Sequence, residues 1–156
     1  MKNSPADFNP LAGCYRALEF LAFGRDLERA RFCLLPHLSD CREILVLGEG
    51  DGRCLEQLVR LAPLAHIRCL DASSAMLARA EARLAGSPAR DRVIFERADV
   101  LAADFPLDRY DAVITCFFLD CFTAEQVAVL IGRVGPSLHR EARWLFADFA
   151  LPDRGF

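Results

Sequence analysis

The sequence predicts an α/β protein built on a doubly wound, mainly parallel sheet, and three observations predict it. From Glu43 onward, short continuous apolar runs alternate with segments of helical periodicity, the pattern of strands covered on both faces by crossover helices. A glycine-rich turn, Gly48-Glu49-Gly50-Asp51-Gly52-Arg53, directly follows the first of those runs. The length, 156 residues, suffices for one core and leaves little room for a second domain.

Pro5 and Pro10 keep the first residues extended. Leu11, Cys14, Tyr15, Leu18 and Ala22 then recur at helical spacing until Gly24 offers a left-handed stop. Leu27, Ala30, Phe32 and Leu34-Leu35 give a second helix its apolar side, with Asp26 as N-cap and Pro36-His37 at its exit. These helices fill residues 1–40, and the sheet core occupies 41–156. Strands are expected at 44–47, 67–70, 93–95, 112–116 and 144–149, and helices at 54–59, 75–84 and 125–134. Right-handed crossovers then put a ligand beyond the carboxyl ends of the strands, where the strand order reverses.

Composition narrows the function classes. With 53% hydrophobic and 26% charged residues the chain is an ordinary globular one. Its net charge of −3 lacks the basic excess of a nucleic-acid binder, so none is expected as partner. The longest apolar run, 112–119, is too short to cross a bilayer, and Lys2-Asn3-Ser4-Pro5 is no signal peptide, which predicts a cytoplasmic location. Seven cysteines (Cys14, Cys33, Cys41, Cys54, Cys69, Cys116, Cys121) are odd in number, lack a C-x-x-C pair and mostly lie in apolar stretches, so they read as buried reduced thiols. No spacing of His, Cys or carboxylates fits a metal site.

The glycine turn carries the first chemical information. Glycines there let the backbone bend sharply and approach a ligand, while the following helix N-terminus presents free N–H groups. A dinucleotide fingerprint counted from Gly48 requires its third glycine at position 53, where Arg53 stands instead. G-x-G-x-G suits a ligand without phosphate, whose amino-acid moiety lies along the loop. Glu49 inside the turn reads either as a solvated turn residue or as a carboxylate compensating a bound ammonium or sulfonium.

Asp71 ends the second strand, where a carboxylate accepts from ribose hydroxyls; its other reading is a helix N-cap, for which Ser73 and Ser74 compete better. Met76 is either core or a polarizable surface for an adenine ring. Asp99 beside the Val100 N–H matches the donor–acceptor edge of adenine, with a solvated loop aspartate as the alternative.

These residues resemble the class I S-adenosylmethionine-dependent methyltransferase family, of the Rossmann-like, small-molecule type. Val46-Leu47-Gly48-Glu49-Gly50-Asp51-Gly52 is similar to its hallmark strand and turn. Residues 67–77, with Asp71, resemble its ribose-binding segment, Ala98-Asp99-Val100 its adenine-contact segment, and Tyr110-Asp111-Ala112-Val113-Ile114 its fourth strand. The resemblance implies S-adenosylmethionine as cofactor, S-adenosylhomocysteine as product, and a binding set of Gly48, Glu49, Gly50, Gly52, Asp71, Ala72, Met76, Asp99, Val100, Thr115 and Tyr15. In such a family the N-terminal helices cap the cofactor, which would bring Tyr15 or Arg16 to its carboxylate.

The family's complete fold continues past the fifth strand with a further helix and two strands, one of them antiparallel. Against that pattern the core reads as truncated, and residues 144–149 form an open sheet edge that a missing segment or a homodimer partner would cover. In-line positioning of nucleophile, methyl carbon and sulfur is the main catalytic need and supplies ~7–11 kcal/mol. Phe117 and Phe118 are expected to wall a small-molecule acceptor pocket. Asp120 is the one candidate for orienting or deprotonating the acceptor, its other reading being the cap of a helix starting near Thr123. A nicotinamide-dependent oxidoreductase and a non-catalytic binding module remain as alternatives.

Overall fold

The structure is a computed structural model that describes residues 26–149. It comprises α1 (Asp26–Phe32), a 3-10 turn (Leu35–Leu38), β1 (Glu43–Leu47), α2 (Arg53–Leu61), β2 (His66–Asp71), α3 (Ser74–Leu84), β3 (Val93–Arg97), β4 (Tyr110–Cys116), α4 (Ala124–Val134) and β5 (Leu138–Ala147). The five strands pair in the order β3-β2-β1-β4-β5, every neighbour parallel. The order reverses between β1 and β4, so the crevice of a doubly wound sheet opens at the carboxyl ends of those two strands. The helical stretch expected at residues 11–24 lies outside the described residues.

Alternation along β1 divides the core in two. Ile44 and Val46 face a layer made by Leu35, Leu38, Leu55, Leu58 and Leu84, contributed by the 3-10 turn, α2 and α3. Leu45 and Leu47 face the other layer, closed by Leu130 and Val134 of α4 and by Val100 and Ala103 of the β3–β4 connection. Burial of β1 on both faces explains why it reads as an unbroken apolar run. Asp111 fastens the start of β1 to that of β4, its Oδ2 accepting from the N–H groups of Arg42 (2.7 Å) and Glu43 (2.9 Å).

Element ends follow from local chemistry. Ser73 caps α3 by accepting from the Met76 N–H at 3.2 Å. Thr123 and Gln126 form a reciprocal capping box at the start of α4, so the capping role considered for Asp120 belongs to Thr123. α1 ends at Phe32 rather than carrying on to Leu35, because the chain tightens into the 3-10 turn that holds Pro36.

β5 differs most from its sequence reading. It begins at Leu138 rather than 144 and ends at Ala147, with a register shift opposite Tyr110 and Ala112. Its first half is the polar run His139-Arg140-Glu141, which lies in the register irregularity between the Leu138 and Arg143 pairs and leaves its side chains exposed, so no apolar signal marked it. Among the described residues no helix is long and apolar enough to cross a membrane.

Candidate functional site

Gly48, Gly50 and Gly52 all adopt left-handed backbone, with φ of 67°, 71° and 87°. Side chains other than glycine resist that region, so the turn after β1 demands glycine at alternate positions. The three glycines nevertheless serve different ends. A Cβ on Gly48 would enter the ring of Phe118, and one on Gly52 would stand 2.6 Å from the Ala80 Cα of α3. A Cβ on Gly50 would meet nothing within 4 Å. Gly48 and Gly52 thus let protein pack on the turn, and Gly50 turns its open face to the crevice.

The back of the turn is locked by charge. Asp51 accepts from Arg53 Nε at 2.9 Å and from Arg83 Nη2 at 3.3 Å, while Arg83 Nε donates to the Asp51 carbonyl at 3.0 Å. Arg53 Nη1 also donates to Glu28 Oε1 at 3.1 Å, tying α1 to the turn. Arg53 is buried and fills the position where a dinucleotide domain brings helix against strand.

Hydrogen bonds run from strand to strand along the carboxyl edge. The Gly48 N–H donates to the Leu70 carbonyl (2.9 Å), the Gly50 N–H to Asp71 Oδ2 (3.3 Å), and the Ala98 N–H to the Asp71 carbonyl (3.1 Å). Asp71 Oδ1 accepts from the Ser73 N–H at 2.8 Å. Burial raises the Asp71 pKa above the usual carboxylate value, partly countered by those two N–H donors. Asp99 is exposed and its Oδ1 accepts from the Leu101 N–H at 2.9 Å, while the neighbouring Val100 is buried. Met76 is buried in the first turn of α3, and Ala72 is exposed.

Glu49 bends inward rather than into solvent. Its Oε1 accepts from the Leu55 N–H at 3.0 Å, at the amino end of α2. Burial of the carboxyl group pushes its pKa up to about 7, against the lowering effects of the Leu55 and Cys54 N–H groups and of Arg31. Arg31, on α1, is buried, and its guanidinium stands 5.0 Å from the centroid of the Phe117 ring. Arg31, Gly48, Glu49, Gly50, Cys54, Cys116 and Phe117 surround a cavity of about 30 Å³.

Arg31 is the residue sequence reading passed over. It lies one helical turn after Leu27, on the buried side of α1, and nothing in the chain's order signals that α1 lies across the glycine turn. Tyr15 and Arg16, which the family resemblance proposed for this place, lie outside the described residues.

Two of the other expected residues are engaged elsewhere. Thr115 is fully buried and its Oγ1 accepts from Trp144 Nε1 at 3.0 Å, inside the β4–β5 pair. Phe118 lies on Gly48 and edge-on to Phe122, centroids 5.1 Å apart. Phe117 carries a left-handed φ of 52°, donates its N–H to the Ala147 carbonyl at 2.7 Å and packs on Phe149. Asp120 is exposed in the turn after β4, where Asp148 Oδ2 accepts from the N–H groups of both Leu119 (3.0 Å) and Asp120 (3.2 Å). Partial burial, then the Asp148 charge, raise the Asp120 pKa.

The histidines stand apart from these groups. His37 is in the 3-10 turn before β1 and His66 starts β2. His139 belongs to β5 and pairs with Asp108 at 3.1 Å. All three are at the amino edge of the sheet. There a larger cavity, about 490 Å³, opens beside His66, Arg68, Arg92 and Arg109. Of the cysteines expected to be buried, Cys33 and Cys121 are exposed, and all six described ones are free thiols.

Residues 44–139 match the family described as a methyltransferase domain. The chain belongs to that family. No curated protein matches this methyltransferase chain in sequence. Its fold is similar to the S-adenosylmethionine-dependent methyltransferase SibL in its apo form, with 23% identity and a TM-score of 0.67 over 90% of this chain and 39% of that one. It is also similar to the mitomycin 7-O-methyltransferase MmcR, with 16% identity and a TM-score of 0.72 over 96% of this chain and 44% of that one. The CcbJ methyltransferase from Streptomyces caelestis matches at 21% identity and a TM-score of 0.60, over 74% of this chain and 47% of that one. The methyltransferase chain therefore spans less than half the length of these three structures. The match confirms the family to which the glycine turn, Asp71 and Asp99 pointed.

Proposed function

We propose that the crevice at the carboxyl ends of β1, β2 and β3 binds S-adenosylmethionine, and that the chain is the cofactor-binding part of an enzyme methylating a small molecule. The observation that carries this is the bond from the Gly50 N–H to Asp71 Oδ2, which sets the one open glycine of the turn beside a carboxylate at the end of β2. The residues fit such a ligand. Asp71 suits ribose hydroxyls, the edge formed by Asp99 and Val100 suits adenine, and the buried Met76 beneath suits its face. At the aminoacyl end Arg31 suits a carboxylate, and Glu49 suits an ammonium or sulfonium.

When bound, S-adenosylmethionine supplies an electrophilic methyl group already activated on a positive sulfur. What the chain's own residues then contribute is position: a rigid turn, held by Asp51, Arg53 and Arg83, keeps the ligand in one place. Phe117 contributes an apolar wall, and Asp120, in the turn after β4, is the group that would take a proton from a hydroxyl or amine acceptor.

Calorimetric titration with S-adenosylhomocysteine and, separately, with NADH tests the reading. Saturable binding of the first and none of the second is expected. Binding of NADH alone would overturn it.

A further inference from the structure

Two thiols meet beneath the glycine turn. Cys54, in the first turn of α2, is 3% exposed, and Cys116, the last residue of β4, is half-buried. Both line the cavity of about 30 Å³ that holds Glu49 and Arg31, and both pack against the same core layer. The two thiols are close enough to bias each other, the Cys54 thiol being held protonated while that of Cys116 is shifted toward its thiolate. The two residues come from different elements, 62 positions apart in sequence by number, so no local constraint brings them together.

We propose that Cys54 and Cys116 form a modification site for hydroperoxides, which convert the pair into a disulfide and thereby weaken ligand binding in the crevice. The effect on the ligand rests on the reading of the crevice given above; the disulfide does not. Cys116 is the attacking group. It is the more open of the two residues, and its neighbour Cys54 favours its thiolate. The cavity has room on the order of one water, enough to admit a small peroxide.

The thiolate of Cys116 attacks one oxygen of the peroxide, the O–O bond breaks, and sulfenic acid forms as hydroxide leaves and takes up a proton. The sulfur of Cys54 then attacks the sulfenic sulfur, loses its proton, and expels the hydroxyl group as water. The two thiols give up two electrons, and one hydrogen peroxide becomes two waters. Covalent contact draws the start of α2 toward the end of β4, which moves the backbone on which Gly48, Glu49 and Gly50 stand. Cys121, although an exposed residue, is a poor rival, because partial desolvation of its sulfur and then the Asp120 carboxylate push its thiol up to about 11.

The test treats the purified full chain with hydrogen peroxide, alkylates the remaining thiols and digests with trypsin without reduction. A cross-link between fragments 54–60 and 110–133 is expected, lost in Cys54→Ala and in Cys116→Ala and kept in Cys121→Ala. Oxidised protein should bind S-adenosylhomocysteine about tenfold more weakly, with recovery on adding a thiol reductant, and Cys54→Ala should bind equally before and after peroxide. A cross-link through Cys121, or none to fragment 54–60, overturns the proposal. So does a mapped disulfide that leaves affinity unchanged. If reduced protein binds no S-adenosylhomocysteine, the function reading fails and takes the affinity claim with it, while the mapping still decides the bond.

Discussion

The ring of Phe118 lies over the α-carbon of Gly48, in the space a Cβ at that position would occupy. A residue just past the end of β4 is thereby stacked on the glycine that follows β1, and these two neighbouring strands share one packed corner. Gly48 is required by protein packing, and the ligand-facing role falls to Gly50.

This division predicts two different outcomes for alanine substitution. Gly48→Ala meets both the left-handed backbone and the Phe118 ring, and Gly52→Ala meets the Ala80 backbone, which cannot yield as a side chain can. Each should lower stability by about 2–4 kcal/mol, the sum of the conformational and overpacking terms. Gly50→Ala should lose only about 1–2 kcal/mol from its φ, yet weaken S-adenosylhomocysteine binding the most for its effect on folding. Urea unfolding and calorimetry on the three variants separate these. Equal stability losses at all three positions would contradict the assignment.

Asp71 predicts a loss of affinity rather than of fold. Its carboxylate already accepts from the N–H groups of Gly50 and Ser73, so it stands ready for sugar hydroxyls with little rearrangement. Asp71→Asn keeps an acceptor but loses the charge and should weaken S-adenosylhomocysteine binding about tenfold; Asp71→Ala should weaken it by about tenfold to a hundredfold. Adenine alone should bind both variants like the parent. An unchanged affinity for S-adenosylhomocysteine in Asp71→Ala would remove the central contact.

Much of this fold was legible because each central strand is apolar on both faces and each helix brings its own punctuation. Ile44, Leu45, Val46 and Leu47 read as a strand for the same reason that they are buried. The glycine turn and Asp71 were legible because backbone geometry and a strand end restrict which residues serve there. What escaped depends on contacts between distant segments. The ring that fills the space over Gly48 comes from residue 118, the cation above Phe117 comes from residue 31, and the hydroxyl of Thr115 is claimed by Trp144. The polar half of β5 escaped because residues 139–141 are exposed and lie in a register irregularity, so no apolar run marks them.

Arg31 predicts selectivity between two ligands that share a nucleoside. If its buried guanidinium faces the aminoacyl carboxylate, Arg31→Gln should weaken S-adenosylhomocysteine binding by about tenfold or more, the range of hydrogen bonds to charged groups. Binding of 5′-methylthioadenosine, which has no aminoacyl group, should change less than about twofold. Parallel titrations measure the ratio. Equal losses for the two ligands would mean that Arg31 supports the fold through Phe117 instead.

Glu49 predicts a pH signature in both stability and binding. Its carboxyl group has an ordinary value of 4.5 in the unfolded chain and about 7 in the fold, raised mainly by burial. Below pH 4.5 the group is neutral in both states and contributes no difference. Between 4.5 and 7 the unfolded chain loses this proton while the folded one holds it, so stability falls with rising pH, by about 3 kcal/mol at most, and is level above 7. Glu49→Gln lacks this titration and can still accept from the Leu55 N–H. Its melting temperature should equal that of the parent near pH 4.5 and exceed it increasingly up to pH 7. A bound ammonium or sulfonium reverses the preference by favouring the carboxylate. Binding of S-adenosylhomocysteine, whose ammonium group remains, should then release a fraction of a proton at pH 7, seen as a dependence of the observed heat on the ionisation enthalpy of the buffer. That dependence should vanish in Glu49→Gln. If it persists there, the proton comes from another group and Glu49 does not face the ligand's positive charge.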